Sequence, residues 1–296
     1  MRILLTGAGG QLGRHLAPVL SRRGELLATA RAGGDIQCDL ADQQSVDGLL
    51  ARAVPEVIVN TAAWTAVDLA EDQEQAAQVL NRDLPAWLAA WCADNGSLLV
   101  HYSTDYVFSG SKERPWRETD PTAPESVYGK SKLAGEAAVA ASGCQAAVIR
   151  TAWLYSHLPG NFLSAILGRA RRGQNLKVVA DQTGSPTWAG DLAAATGNLL
   201  DRGDGLAPGS TVFHVCGRGA VSWYEFARWA VVEASRLGLL ERPVEVEPIG
   251  SEQWPQKARR PAWSVLDGSR FEQFTGHPLP TVDAGLTACL EQWPRA

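Results

Sequence analysis

The chain has 296 residues, 45% hydrophobic and 20% charged, which supplies enough apolar material for a buried core in one large or two modest domains. A net charge of −5, no apolar run of spanning length, and Met1-Arg2 leading directly into a first strand predict a cytoplasmic protein with no signal peptide and no nucleic-acid or membrane partner. Five scattered cysteines and five scattered histidines form no C-x-x-C or H-x-x-x-H, so reduced thiols and no metal are expected.

Ile3 to Leu5 reads as a short buried strand that stops at Thr6, with glycines following at 7, 10 and 13. Leu12, Leu16, Val19 and Leu20 then recur at helical spacing. Strand, glycine turn and helix aim helix N-terminal amides at a pyrophosphate. In that reading Gly7 permits the turn, Gly10 lets backbone approach the phosphates and Gly13 lets the helix lie on the strand. No G-x-x-x-x-G-K-[ST] occurs, which disfavours an NTPase.

Leu26 to Ala30 is a second strand ending in Ala30-Arg31, where a residue facing the adenosine ribose is expected; Arg31 suits a 2′-phosphate, while a solvated surface role is the alternative. Cys38-Asp39-Leu40 follows another short strand, and Asp39 either holds the adenine amino group or caps a helix from Ser45 to Ala53. Val57 to Asn60 is the next strand, and the small residues after it, Ala62-Ala63, allow close ligand approach, with Trp64 and Val67 where cofactor and substrate meet. Helix-forming sequence runs from Asp72 to Asp94 with Asn81, a poor helix former, in its middle.

Leu98 to Thr104 reads as a central strand ending in hydroxyls, Val127 to about Ala141 as a helix, and Ala146 to Thr151 as a strand. This alternation predicts an α/β, doubly wound parallel Rossmann sheet. Beyond Trp153 the rhythm breaks: helices over 161–172, 190–200 and 222–237 flank a strand at 212–215, with Ser222 and Glu225 forming a capping box. The expected division is a dinucleotide-binding domain of residues 1–152 plus about 186–218, and a smaller α/β substrate domain of about 153–185 and 219–296.

Tyr128 and Lys132 stand four apart on the predicted helix and share one face. A neighbouring ammonium would lower the tyrosine pKa, letting Tyr128 exchange a proton with a carbinol oxygen while a nicotinamide carries hydride. Thr104, at the C-terminal end of a central strand, would position the same oxygen. Y-x-x-x-K alone is a weak motif; joined to the glycine turn and the strand-end threonine, it is specific.

Gly7 to Gly13, Ser103-Thr104-Asp105 and Tyr128-x-x-x-Lys132 resemble the extended short-chain dehydrogenases that act on nucleotide sugars, most closely the dTDP-4-dehydrorhamnose reductases. Matching stretches at 60–68, 150–153, 181–187 and 260–267 carry the likeness over nearly the whole chain. The resemblance implies reduction of the C4 ketone of dTDP-6-deoxy-L-lyxo-4-hexulose, the final step of dTDP-L-rhamnose synthesis. Tyr128 is then the general acid, Lys132 tunes it and binds ribose, and Thr104 orients the ketone. By the same analogy Gly10-Gln11-Leu12, Asp39-Leu40, Ala62-Ala63-Trp64 and Tyr102 contact the cofactor, Thr104-Asp105 and Trp153 contact the sugar, and residues 181–187 and Arg260 serve the nucleotide diphosphate side or, for Arg260, clasp the domains. NADPH is expected to be modestly preferred with NADH still used, in a monomer or homodimer. A 4,6-dehydratase is disfavoured because Asp105 is followed by Tyr106 instead of Glu. The alternative is another nucleotide-sugar epimerase or dehydratase of the same fold, or a non-catalytic cofactor-binding regulatory subunit.

Overall fold

The computed structural model describes residues 1–30, 36–111 and 114–294. It opens with β1 (Arg2–Thr6) and α1 (Gln11–Leu20), followed by β2 (Glu25–Ala28), α2 (Gln43–Ala53) and β3 (Val57–Asn60). The second strand ends at Ala28, short of the expected Ala30, and the strand expected before Cys38 is a single parallel bridge from Ile36 to Thr29. Asp42, not Asp39, caps α2, accepting from the Ser45 amide at 2.9 Å. Asp39 accepts instead from the amide of Ala41 at 3.0 Å.

A short α3 (Val67–Ala70) leads to a continuous helical run of α4 (Glu74–Gln78), a π-helical turn (Val79–Asp83) and α5 (Leu84–Asn95). Next come β4 (Leu98–Thr104), a 3₁₀ turn (Asp105–Val107), α6 (Val127–Ala141) and β5 (Ala146–Thr151). The chain then forms β6 (Leu154–Tyr155), α7 (Phe162–Arg171), β7 (Leu176–Val179), β8 (Thr183–Gly184), β9 (Thr187–Trp188), α8 (Ala189–Leu200) and β10 (Ser210–His214).

Six parallel strands lie in the order β10-β5-β4-β3-β1-β2. Successive residues of β1 face opposite sides, as a strand buried on both faces requires. Ile3 and Leu5 pack with Leu12 and Leu16 of α1 and Leu192 and Leu199 of α8; Leu4 packs with Leu49 of α2 and Leu84 and Leu88 of α5. The sheet is thus doubly wound, and its strand order reverses between β1 and β3, opening a crevice at their C-terminal ends.

A second core gathers Leu163 and Leu167 of α7, Leu176 of β7, Phe226 and Ala230 of α9 (Trp223–Arg236) and Leu286 of α11 (Val282–Glu291). Ser222 and Glu225 form the expected capping box at the start of α9. Three two-stranded pieces accompany this core: β11 (Val221–Ser222) with β8, β12 (Val246–Ile249) with β7, and β6 with β9. Between the last strand and the last helix lies α10 (Ser269–Thr275). No helix among the described residues is long and apolar enough to cross a membrane.

Candidate active site

Glycines shape one end of the crevice. Gly7 has φ +71°, and a Cβ there would meet Thr61 Oγ1 at 2.7 Å and the Ala62 amide nitrogen at 2.8 Å. A Cβ on Gly13 would lie 2.3 Å from the Gly7 carbonyl oxygen, so only glycine lets α1 cross this close to the turn. Gly10 is the N-cap of α1 and no side chain caps it, which leaves the first-turn amides to a ligand. Gln11 accepts from the Ser156 hydroxyl at 3.1 Å, tying this helix start to the segment after β6.

The crevice has a volume of ≈ 1280 Å³. Its walls include Gly7, Gly10, Gln11, Leu12 and Gly13 at one end, Asp39 and Leu40 beside them, and Ala62, Ala63, Trp64, Val67 and Tyr102 along its length. Thr104, Asp105, Tyr128, Lys132 and Trp153 complete it. The sequence reading therefore converges on one cavity. Two residues stand apart. Arg31 lies outside the described residues. Arg260 does not line the crevice but donates to Asp68 at 2.8 Å, next to Val67, with its guanidinium 5.8 Å from the ring of Tyr106, which does line it. Asp181 likewise holds Ser251, accepting from its amide and hydroxyl, away from the cavity wall.

Two glycines bring α6 into place. A Cβ on Gly129 would sit 2.3 Å from the Tyr106 carbonyl oxygen, and one on Gly135 2.1 Å from that of Asn81. Ser126 caps the helix, accepting from the Gly129 amide at 3.1 Å. Tyr128 shares the cavity wall with Thr104, and its ring meets Tyr106 edge-on at 5.5 Å. Burial pushes the Tyr128 hydroxyl up to about 12, the Thr104 side chain opposing it and the Asp105 charge adding to it. The expected lowering by Lys132 is not among the causes of the shift: desolvation of the phenolate dominates.

Lys132 is buried and donates to the Tyr102 carbonyl at 2.5 Å. Burial lowers its pKa to about 8, with Glu136 opposing. Its ammonium also faces His101 Nε2 at 3.5 Å, and His101 is kept neutral by burial and by this positive neighbour. His101 Nδ1 lies 3.1 Å from the Asn60 amide, whose oxygen accepts from Thr6 at 2.6 Å. A buried polar chain thus links the ends of β1, β3 and β4 to the lysine. Asp105 accepts from Thr104 at 3.0 Å, and burial raises its carboxyl to about 6 against the pull of Ser264 and Thr104. The Tyr102 hydroxyl is engaged by Thr196 at 2.6 Å.

Several supporting residues were given no role at the site from sequence. Asn81, fully buried in the π turn, clasps the Trp64 backbone, accepting from its amide at 2.9 Å and donating to its carbonyl at 3.1 Å, and also donates to Ser131. Glu136 accepts from Ser103 at 2.5 Å and from Arg150 at 2.9 and 2.6 Å, a buried fork-to-fork pair. A charged residue inside the apolar strand Ala146–Thr151 was the available signal for Arg150, since a buried guanidinium demands a partner. Trp223 and Phe162 also line the cavity, and no sequence pattern marks them.

The family described as the RmlD substrate binding domain matches residues 1–294. A dTDP-4-dehydrorhamnose reductase of Burkholderia thailandensis is 41% identical over 98% of each chain. The crystal structure of a dTDP-4-dehydrorhamnose reductase from Clostridium acetobutylicum superposes with a TM-score of 0.88 at 36% identity, covering 98% of this chain and 99% of that one. Another from Bacillus anthracis, in complex with NADP, gives 0.89 at 29% identity over the same shares. By matched length, identity and fold, the chain belongs to the RmlD family, that of the dTDP-4-dehydrorhamnose reductases.

Proposed function

We propose that the chain is an NAD(P)H-dependent oxidoreductase that reduces the C4 ketone of dTDP-6-deoxy-L-lyxo-4-hexulose to dTDP-L-rhamnose. One observation carries the reading: Thr104 at the end of a central strand, Tyr128, Lys132 and the glycine turn all line the same cavity. Relatives named for this activity, and a neighbour bound to NADP, support it.

The uncapped start of α1 and the glycine contours fit a dinucleotide pyrophosphate, which Gly10, Gln11 and Leu12 would hold. Asp39 and Leu40 would meet the adenosine end, and Ala62, Ala63, Trp64 and Tyr102 the nicotinamide half. When bound, the reduced nicotinamide supplies hydride to C4. Tyr128, protonated at neutral pH, gives its proton to the C4 oxygen as negative charge develops there. Lys132, largely charged at pH 7, holds the ribose and offsets the charge left on Tyr128. Thr104 orients the ketone, while Asp105 and the Trp153 indole contact the sugar. Val67 lines the same end. The domain division that goes with this reading assigns residues 1–152 and about 186–218 to the cofactor, and about 153–185 and 219–296 to the nucleotide sugar.

The test is to supply this 4-keto nucleotide sugar with NADPH and follow nicotinamide absorbance while identifying the product. Consumption of NADPH with formation of dTDP-L-rhamnose is expected. No turnover with this sugar, alongside turnover of a different sugar nucleotide, would overturn the assignment.

A further inference from the structure

Trp153 has φ +47°, a backbone conformation shared among the described non-glycine residues only with Val54. Bulky side chains rarely adopt it, and they keep it where the surroundings over-determine it. Here the indole is gripped on both faces. Trp223, the first residue of α9, stacks on it with ring centroids 3.5 Å apart and planes 3° from parallel. On the opposite face, a Cβ on Gly184 would come 2.4 Å from Trp153 Cε2 and 2.7 Å from both Cζ2 and Nε1. Being nearest to Cε2 and equally far from its two neighbours places Gly184 over the ring plane and not beside its edge.

Near-complete overlap of two indoles is not the arrangement their quadrupoles favour, since aromatic pairs prefer offset or edge-to-face contact. The surroundings impose it. Trp223 is fixed by the capping box at the start of α9 and packs against Phe162 at 4.4 Å, which continues to Phe226 in the second core. A chain of aromatic contacts therefore runs from that core to the cavity wall, where Trp153, Trp223 and Phe162 all line the opening.

We propose that Trp223 is a positioning residue for the sugar end of the cavity: stacked on Trp153, it holds that indole edge-on to the bound ligand. The inference rests on the reading above, in which Trp153 meets the sugar. With both faces covered, Trp153 presents its electropositive rim, which suits a sugar oxygen, and stacking of an apolar sugar face on the ring is closed off. Loss of Trp223 uncovers a face and releases the ring.

The experiment compares Trp223→Ala and Trp223→Phe with wild type, in the full chain with NADPH. It measures kcat and KM for the 4-keto dTDP sugar, cofactor Kd, and the exciton couplet that two stacked indoles give in circular dichroism. Trp223→Ala should raise sugar KM about tenfold, with kcat and cofactor Kd little changed and the couplet lost. Trp223→Phe should restore most of the KM without the couplet. An unchanged sugar KM in Trp223→Ala, with the couplet gone, would overturn the role. Should that variant not fold, Gly184→Ala presses on the other ring face: a raised sugar KM supports the proposal and an unchanged one contradicts it. Absence of wild-type turnover would be a failure of the functional reading instead. Normal wild-type turnover with unaffected variants would be a failure of this inference alone.

Discussion

At the glycine turn the cavity wall is backbone, shaped by the missing Cβ atoms of Gly7 and Gly13 and by an uncapped helix start, and no ionisable side chain among the described residues is buried there. Beyond the ends of β4 and α6 the wall is side chain: Thr104, Asp105, Lys132, Glu136 and Arg150 are all buried, and every one has a polar partner. At Gly7 and Gly13 the first end has no room for an added atom. The second rests on paired polar groups. That difference teaches what each end is for, because a pyrophosphate is held by amides and close approach, whereas moving a proton needs groups whose affinities are set by burial and neighbours.

The contrast is broken most severely at Tyr128. Replacing it with phenylalanine keeps the ring and removes the proposed proton donor, so kcat should fall by about 10²–10⁴-fold while cofactor Kd stays near wild type. Steady-state kinetics beside a cofactor titration checks this. Lys132→Ala should differ by weakening cofactor binding as well.

Next is the buried pair of Glu136 on α6 and Arg150 on β5. Arg150→Met strands the Glu136 carboxylate, and breaking one side of a buried ion pair costs about 3–5 kcal/mol. Denaturant unfolding should show that loss, and Glu136→Gln with Arg150→Met together should recover part of it.

At the other end, Gly13→Ala puts a methyl 2.3 Å from a carbonyl oxygen, an overpacking expected to cost about 1–3 kcal/mol and to weaken cofactor binding. Gly48→Ala, in α2 with nothing within 4 Å of the added atom, is the control and should be neutral or stabilising. Equal behaviour of the two variants in thermal unfolding and cofactor titration would erase the contrast.

The smallest effect is read in pH. Burial holds Lys132 at about 8, so kcat/KM for the cofactor should decline as pH rises through that value if, as proposed, the charged form binds ribose and supports Tyr128. The stability effect has the opposite sign. Between about 8 and the ordinary lysine value the unfolded chain binds the extra proton, so the Lys132 contribution to stability rises with pH in that window. A flat kcat/KM profile from pH 7 to 9 would show that the lysine charge does not matter.

Both ends of the cavity were legible in sequence, because glycine spacing and a tyrosine four residues before a lysine are local patterns that topology then brings together. The sheet followed from alternating strand and helix signals, whereas the two-residue strands β6, β8, β9 and β11 carry no period to read. Asn81 was seen as a poor helix former, but its burial depends on a π turn opposite Gly135, a tertiary fact. The direction of the Tyr128 shift was misjudged for the same reason: helical spacing shows a neighbouring ammonium and says nothing of desolvation. Arg260 matched a motif stretch, yet its partner, Asp68, lies 192 residues away in the chain.

The central claim is hydride delivery to C4 with Tyr128 as the acid, and isotope placement tests it most directly. The wild-type chain is given NADPH deuterated at the transferred position and the 4-keto dTDP sugar, and the product is read by NMR. Deuterium at C4 of dTDP-L-rhamnose, one equivalent per NADPH oxidised and slowed at least about 10²-fold in Tyr128→Phe, is the predicted result. Deuterium at any other carbon, or C4 labelling at an undiminished rate in Tyr128→Phe, would contradict the account.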